Sequence, residues 1–386
     1  MRARELALAV AAALLAAVAA EVLVRLLGVG PQVGLVYREW FEPSGNPRLR
    51  YALRPGAADG AHRISAAGHR GDDVPEAPPE GSFRIAAIGD SVTFGFEVRR
   101  EEAWPQQLAA LLAGSAAPGA PRFEVLNFGV TGYDVHQVAE RARVLALRYS
   151  PHLLVYGYVL NDPQDWSFEG EAIASIAAHD APPAPLRWLA RLRIYQLARA
   201  LFGPRHYRHA PDGTLVREDG TPIALVANDP GIEAALAGGE VDYFRALHRE
   251  AAPRLRSGFQ ALARAAGEVP VLVAIFPIFP EESPYPLRDV HREVAAEAGR
   301  AGFHVVDLLP VYEAAAARFG ERRHVGNLLH PNAFGYRVAA HALLFAALAQ
   351  GLLPEGAVET DRLERGANAA LARIAREHVR RPARSE

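Results

Sequence analysis

Five short apolar runs, at 83–88, 123–128, 153–159, 271–276 and 303–308, recur along the chain with helical patterns between them. Runs this short and this uniformly apolar suit strands buried on both faces. The helical patterns cover 101–112, 135–149, 241–266, 290–301 and 332–350. Strand and helix in alternation predict a parallel sheet with helices on both faces. A chain of 386 residues, half of them hydrophobic, is long enough to bury such a core as one large domain with insertions or as two smaller ones.

The alternation spans 83–355 and is interrupted over 163–240, too long a stretch for an ordinary loop. This insertion contains an amphipathic piece at 186–202, with Trp188, Leu189, Leu192, Ile194 and Leu197, and a hairpin-like segment at 207–226. Asp212-Gly213 and Asp219-Gly220 supply turn signals in the latter. Because the insertion follows the C-terminal end of a strand, where open α/β sheets place their sites, it reads as a cap, with a surface decoration as the alternative. Residues 29–82 are rich in Gly, Pro and Arg and read as a linker and irregular lead-in. Residues 356–386 read as a surface helix with an Arg-rich tail.

At the N-terminus Arg2 and Arg4 precede an apolar stretch, and 6–27 is just long enough to span a bilayer. Glu21 and Arg25 are spaced to pair on one helix face. The leading arginines put that end in the cytoplasm and the rest of the chain outside it. Residues 1–28 are thus expected to be a membrane anchor. A signal peptide cleaved near Val18-Ala19-Ala20 and a soluble Ala-rich helix are the competing readings.

Composition excludes several classes. The 42 basic and 44 acidic residues leave a net charge of −2 and no electrostatic footprint for nucleic acid. There is no Cys, hence no disulfide, no thiolate metal site and no thiol nucleophile. There is no Lys, which removes a Walker-type phosphate loop, and no G-x-G-x-x-G follows any expected strand. His206, His209 and His291 show no ligand spacing with carboxylates, so neither a metal nor another cofactor is expected. Oligomeric state is not legible.

Chemistry concentrates where strands end. Gly89-Asp90-Ser91 follows the first strand, Asn127-Phe128-Gly129 closes the second, Asn161-Asp162 follows the third, and His330 lies beyond the fifth. A serine at a strand exit can present its hydroxyl to a cleft, but it attacks only if a base takes its proton. His330 is the candidate base. Acyl transfer also needs donors aimed at a developing oxyanion, and the Asn161 amide with the N–H groups of Ser91 and Gly129 meets that need. Singly, each is explained as a turn or a helix cap, Asp90 above all. Their occurrence in order, on one edge of one sheet, is what carries the reading.

In these four blocks the chain resembles the SGNH (GDSL-type) hydrolases. It also looks like a membrane-anchored bacterial branch of them, with Glu21-x-x-x-Arg25-Leu26-Leu27-Gly28 followed by Gly68-His69-Arg70-Gly71. The resemblance implies a flavodoxin-like three-layer α/β/α fold and acyl-ester chemistry. It implies Ser91 as nucleophile, His330 as base, and Gly129 and Asn161 as oxyanion donors with Ser91, Asp90 supporting.

Two positions depart from the family pattern. Val159 stands where a Gly is common, and Asn327 stands where the block Asp-x-x-His has its carboxylate. An amide oxygen can accept from the imidazole N–H but carries no charge, and the NH₂ can face the ring instead. In a serine-protease triad the Asp→Asn change costs ~10⁴ in turnover, mainly through the wrong tautomer. The partner of His330 is therefore open among Asn327, a backbone carbonyl, and a carboxylate such as Asp162 or Asp307. Two functions follow. One is an extracytoplasmic, membrane-tethered acyl esterase or O-acyltransferase acting on small-molecule, polysaccharide or lipid esters. The other is a low-activity member that binds an acylated glycan or lipid.

Overall fold

The structure, a computed structural model, describes residues 3–26, 40–58, 62–165, 173, 192, 194, 207–209, 215–217, 239–366 and 368–379. Its centre is a five-stranded sheet of β1 (Ser82–Gly89), β2 (Arg122–Asn127), β3 (Leu153–Tyr158), β4 (Val271–Ile275) and β5 (His304–Asp307). The spatial order is β2-β1-β3-β4-β5, with every pairing parallel. That is the flavodoxin-like order, in which a ligand crevice opens at the strand C-termini where the winding reverses, between β1 and β3.

The helices are α1 (Ala3–Leu26), α2 (Ser91–Phe94), α3 (Trp104–Ser115), α4 (Val135–Val144), α5 (Glu240–Ala266), α6 (Arg288–Arg300), α7 (Leu309–Phe319) and α8 (Ala333–Ala349). α4, α5 and α6 pack on one another as one layer, and α3, α8 and α7 as the other. The three-layer α/β/α expectation is met. β3 and β4 are buried at every residue, which is why they carry no polar alternation. Helix α7 was not anticipated. It has no side-chain cap of its own and begins with Pro310 at its first turn, but Asp307 Oδ1 accepts from Leu309 N–H at 3.0 Å.

The lead-in is not a linker where it is described. Phe41–Pro43 pairs antiparallel with Tyr51–Leu53, and Trp40, Phe41, Leu49, Tyr51, Leu53 and Ile64 all belong to the main core. Tyr51 Oη donates to Thr131 O (2.9 Å), and Tyr133 Oη donates to Tyr51 O (2.5 Å). Strands of three residues are too short to produce a period, so their burial is invisible in the sequence. At the other end, Thr360–Arg365 (α9) and Ala369–His378 (α10) replace the single surface helix, and Leu371, Ala372 and Ala375 are buried.

Most of the insertion lies outside the described residues, including nearly all of the amphipathic piece and the Asp219-Gly220 turn. Within it, Tyr207–His209 pairs antiparallel with Leu215–Arg217; Asp212-Gly213 lies outside the described residues. Among the described residues no helix is long and apolar enough to cross a membrane. The expected span at 6–27 thus remains a feature of the sequence. Glu21 Oε2 accepts from Ile194 N–H at 3.0 Å, a contact between α1 and the insertion. Whether Glu21 also meets Arg25 falls outside the described side chains.

His69, His248, His324 and His330 are buried, and desolvation lowers each to about 4 from the ordinary 6.5. In the unfolded chain they titrate near the ordinary value, so below pH 6.5 the unfolded state binds protons that the native state does not. Stability therefore falls as pH drops from 6.5 toward 4, by up to about 1.4 kcal/mol per pH unit for each histidine. Thermal melts across that window are expected to show a steep, monotonic fall in Tm on the acid side. A flat Tm between pH 6.5 and 4.5 would contradict it.

Candidate active site

β1 ends at Gly89, and the chain turns directly into the four-residue α2. Asp90 caps this helix, its Oδ1 accepting from Val92 N–H at 2.9 Å. Ser91 is the first helical residue, so its N–H has no acceptor within the helix. The Ser91 hydroxyl lies 2.8 Å from His330 Nε2 and 3.3 Å from Asp90 Oδ2. It carries one proton, and the shorter contact is the one to the imidazole.

His330 comes from the loop before α8, whose N-cap Asn332 accepts from Phe334 and Gly335 N–H. Its Nδ1 lies 3.0 Å from Asn327 Oδ1. The same oxygen accepts from Leu329 N–H (3.0 Å) and His330 N–H (2.9 Å). These two backbone donors decide which end of the amide faces the ring. The oxygen must point toward the His330 backbone, so Nδ1 carries the proton and Nε2 presents its lone pair to Ser91. The other candidate partners are engaged elsewhere. Asp307 Oδ1 lies 2.8 Å from His291 Nδ1, and Asp162 Oδ2 accepts from Tyr156 Oη at 2.7 Å. Burial of the ring lowers His330 to about 4, with no charged neighbour offsetting it.

The remaining expected residues behave differently from one another. Gly129 does not present a free N–H; it donates to Asn127 Oδ1 at 3.0 Å. Its lack of a side chain serves packing. A Cβ there would collide with the Phe94 amide nitrogen and the Thr93 carbonyl carbon, so α2 approaches β2 this closely only over a glycine. Asn161 lines a cleft of about 370 Å³ together with Tyr133, Gln137, Gln164, Tyr243 and Leu328. Its Oδ1 is buried without a hydrogen-bond partner among the described residues. Val159 is fully buried and does not line this cleft.

Three residues without an assigned role in the sequence reading hold the site together. Asn127 Nδ2 donates to Thr93 O (2.8 Å) and Phe94 O (3.3 Å). Buried Arg70 donates to the carbonyls of Phe94, Gly95 (3.0 Å) and Val98 (3.0 Å), and its guanidinium lies 4.6 Å over the Phe94 ring. Glu97 Oε2 accepts from Asn327 Nδ2 at 2.8 Å. Gly68-His69-Arg70-Gly71 offered a signal for Arg70; nothing in the sequence pattern singled out Glu97. Among the described residues no group of three His, Asp or Glu side chains is placed to hold a metal.

The Ser91–His330 pair, with a fixed tautomer and a serine N–H that has no acceptor within its helix, can deprotonate a hydroxyl and stabilise an oxyanion formed beside it. Replacing Asn127 with Ala takes the side-chain partner from the Thr93 carbonyl and from the Gly129 N–H. Asn127→Ala is expected to cost about 2 kcal/mol of stability. The check is a denaturant midpoint shift at unchanged slope, with labelling of Ser91 by a fluorophosphonate slowed in parallel.

The chain is 31% identical over 105 residues to an acetylxylan esterase of Xylanibacter ruminicola, covering 25% of this chain. The matched part is 20% of that curated relative's length. Among solved structures it is similar to an alpha/beta hydrolase enzyme from the metagenome of Lake Arreo (TM-score 0.40, 16% identity, 71% of this chain and 97% of the other). It is also similar to a catalytic mutant of an acetylxylan esterase from Geobacillus stearothermophilus (TM-score 0.38, 13% identity, 70% and 96%). Residues 87–338, well over half the chain, match the model of the GDSL-like lipase/acylhydrolase family, and the chain belongs to that family.

Proposed function

We propose that this protein is an acyl-ester hydrolase, or a transferase of the same acyl chemistry, that works through Ser91 and His330. The observation that carries the reading is the 2.8 Å contact from Ser91 Oγ to His330 Nε2, with the tautomer set by Asn327. In the proposed cycle His330 takes the Ser91 proton as Oγ attacks the ester carbonyl. The oxyanion is met by the Ser91 N–H and the Asn161 amide; Gly129 N–H joins only if it leaves Asn127 Oδ1. Collapse expels the alcohol, which receives the proton from His330. Water, or a second alcohol in a transferase, then releases the acyl group by the reverse sequence. Asp90 supports by capping α2.

The similarity to an acetylxylan esterase supports O-acetylated sugars as the substrate class, and the polar and aromatic lining of the cleft beside Asn161 is compatible with a glycan. Lipid esters are the other candidate. The low-activity reading draws on Asn327, which gives His330 an oriented but uncharged partner.

Attachment to a membrane through 1–28, with residues 83–355 outside the cytoplasm and 163–240 covering the cleft, is part of the proposal. It is supported by the flanking Arg2 and Arg4 and by Leu15, Val18, Val22 and Leu23 of α1. Among the described residues these are the exposed large hydrophobics. Deleting 1–28 is expected to move the protein from the membrane fraction to the soluble one.

Hydrolysis of p-nitrophenyl acetate tests the chemistry. Ser91→Ala and His330→Ala are each expected to lower kcat at least ~10³-fold. Asn327→Asp combined with Glu97→Gln should raise it by about one to two orders of magnitude; alone, the new carboxylate would stand against that of Glu97. Since neutral His330 is the working form and burial lowers it to about 4, the acid limb of kcat/KM is expected near pH 4 rather than 6.5. Asn327→Asp should move that limb upward, because a carboxylate stabilises the imidazolium. Full activity in Ser91→Ala would end the serine reading.

A further inference from the structure

Asn327 has two polar ends, and only one faces His330. Its Nδ2 donates to Glu97 Oε2 at 2.8 Å, while its Oδ1 stands 3.0 Å from His330 Nδ1. His330 Nε2 in turn stands 2.8 Å from Ser91 Oγ. Four side chains are thus joined in one line from carboxylate to hydroxyl.

Glu97 is held where it can do this. It lies on the loop just after α2, and Arg70 grips the carbonyls of Phe94, Gly95 and Val98 on either side of it. Phe96, its neighbour, puts its ring 5.2 Å from that of His330. Glu97 itself has φ +65°, a left-handed conformation that a non-glycine residue adopts only at a cost. The Glu97 side chain is exposed, and its carboxylate meets the Asn327 amide at the surface.

We propose that Glu97 is a positioning residue, the distal member of a Ser91–His330–Asn327–Glu97 relay. Its carboxylate holds and polarises the Asn327 amide, supplying through one intervening residue part of what an aspartate would place directly on His330. Donating a hydrogen bond from Nδ2 to the Glu97 carboxylate makes the amide oxygen a better acceptor, since successive bonds in a chain strengthen one another. When the Ser91 proton moves to Nε2, the imidazolium donates from Nδ1 to that oxygen. No proton passes to Glu97. The inference rests on the serine-hydrolase reading above.

The test is a set of variants in p-nitrophenyl acetate hydrolysis. Glu97→Ala is expected to lower kcat about tenfold with KM within about twofold, the scale of one charge-assisted bond. Glu97→Gln keeps an acceptor without the charge and is expected to fall between Glu97→Ala and the parent. It also keeps a side chain of the same length on the same strained backbone, so a folding defect would not separate it from the parent. The acid limb of kcat/KM should shift downward in Glu97→Ala, because the imidazolium loses support. The decisive arm is the Asn327→Asp background, where a carboxylate acts directly on His330 and stands against Glu97, so removing Glu97 should leave kcat unchanged or raise it. Equal losses in both backgrounds, or no loss in either, would overturn the relay. Ser91→Ala run alongside separates the two ideas. If it is inactive while Glu97→Ala is fully active, only the relay fails; if it retains activity, the reading beneath it fails.

Discussion

A helix of four residues cannot satisfy its own carbonyl groups, and α2 is buried on the sheet with Ser91 at its start. The cost of leaving those oxygens unpaired inside the protein would be of order 1–3 kcal/mol each. Asn127 from the end of β2 and Arg70 from the lead-in bond to the carbonyls of Thr93, Phe94, Gly95 and Val98. Gly129 lets the backbones close up beneath them. The direction of the Ser91 hydroxyl, and the loop that carries Phe96 and Glu97, depend on this arrangement. It also explains why the lead-in belongs to the core: without residue 70 the end of α2 would lose a buried guanidinium and several bonds.

The imidazole opposite is placed by a different balance. Burial disfavours its charged form, and the amide at its Nδ1 orients it without supplying charge. A histidine so arranged is neutral and ready to accept a proton through most of the acid range. It is also a weaker base than one beside a carboxylate. On the proposed reading, the weakness is offset partly at the far side of Asn327 and partly by donors at the oxyanion, which act only once charge develops there.

How much of this could be read in advance follows from the range of each interaction. β3 and β4 were legible because burial on both faces leaves an apolar run with no partner needed to recognise it. The Ser91–His330 pair was legible because each stands at a strand or loop end beside a turn residue; Asn161 stands at such an end too and lines the neighbouring cleft. Glu97 was not, since it sits 230 positions from Asn327 and its role exists only where two loops meet. Gly129 was legible as important but for a different reason: its missing Cβ makes room for α2, and its N–H goes to Asn127.

The sequence by itself determined the strand–helix alternation, the edge of the sheet that carries the chemistry, the serine and histidine on it, and the exclusion of thiol and Walker-type phosphate-loop chemistry. These depend on residue type and on neighbours close in the chain. Only the tertiary structure decided which end of the Asn327 amide faces His330, which carboxylate stands behind it, and that the lead-in is part of the core. Those outcomes turn on hydrogen bonds of about 3 Å between segments far apart in sequence, and such distances are a property of packing alone.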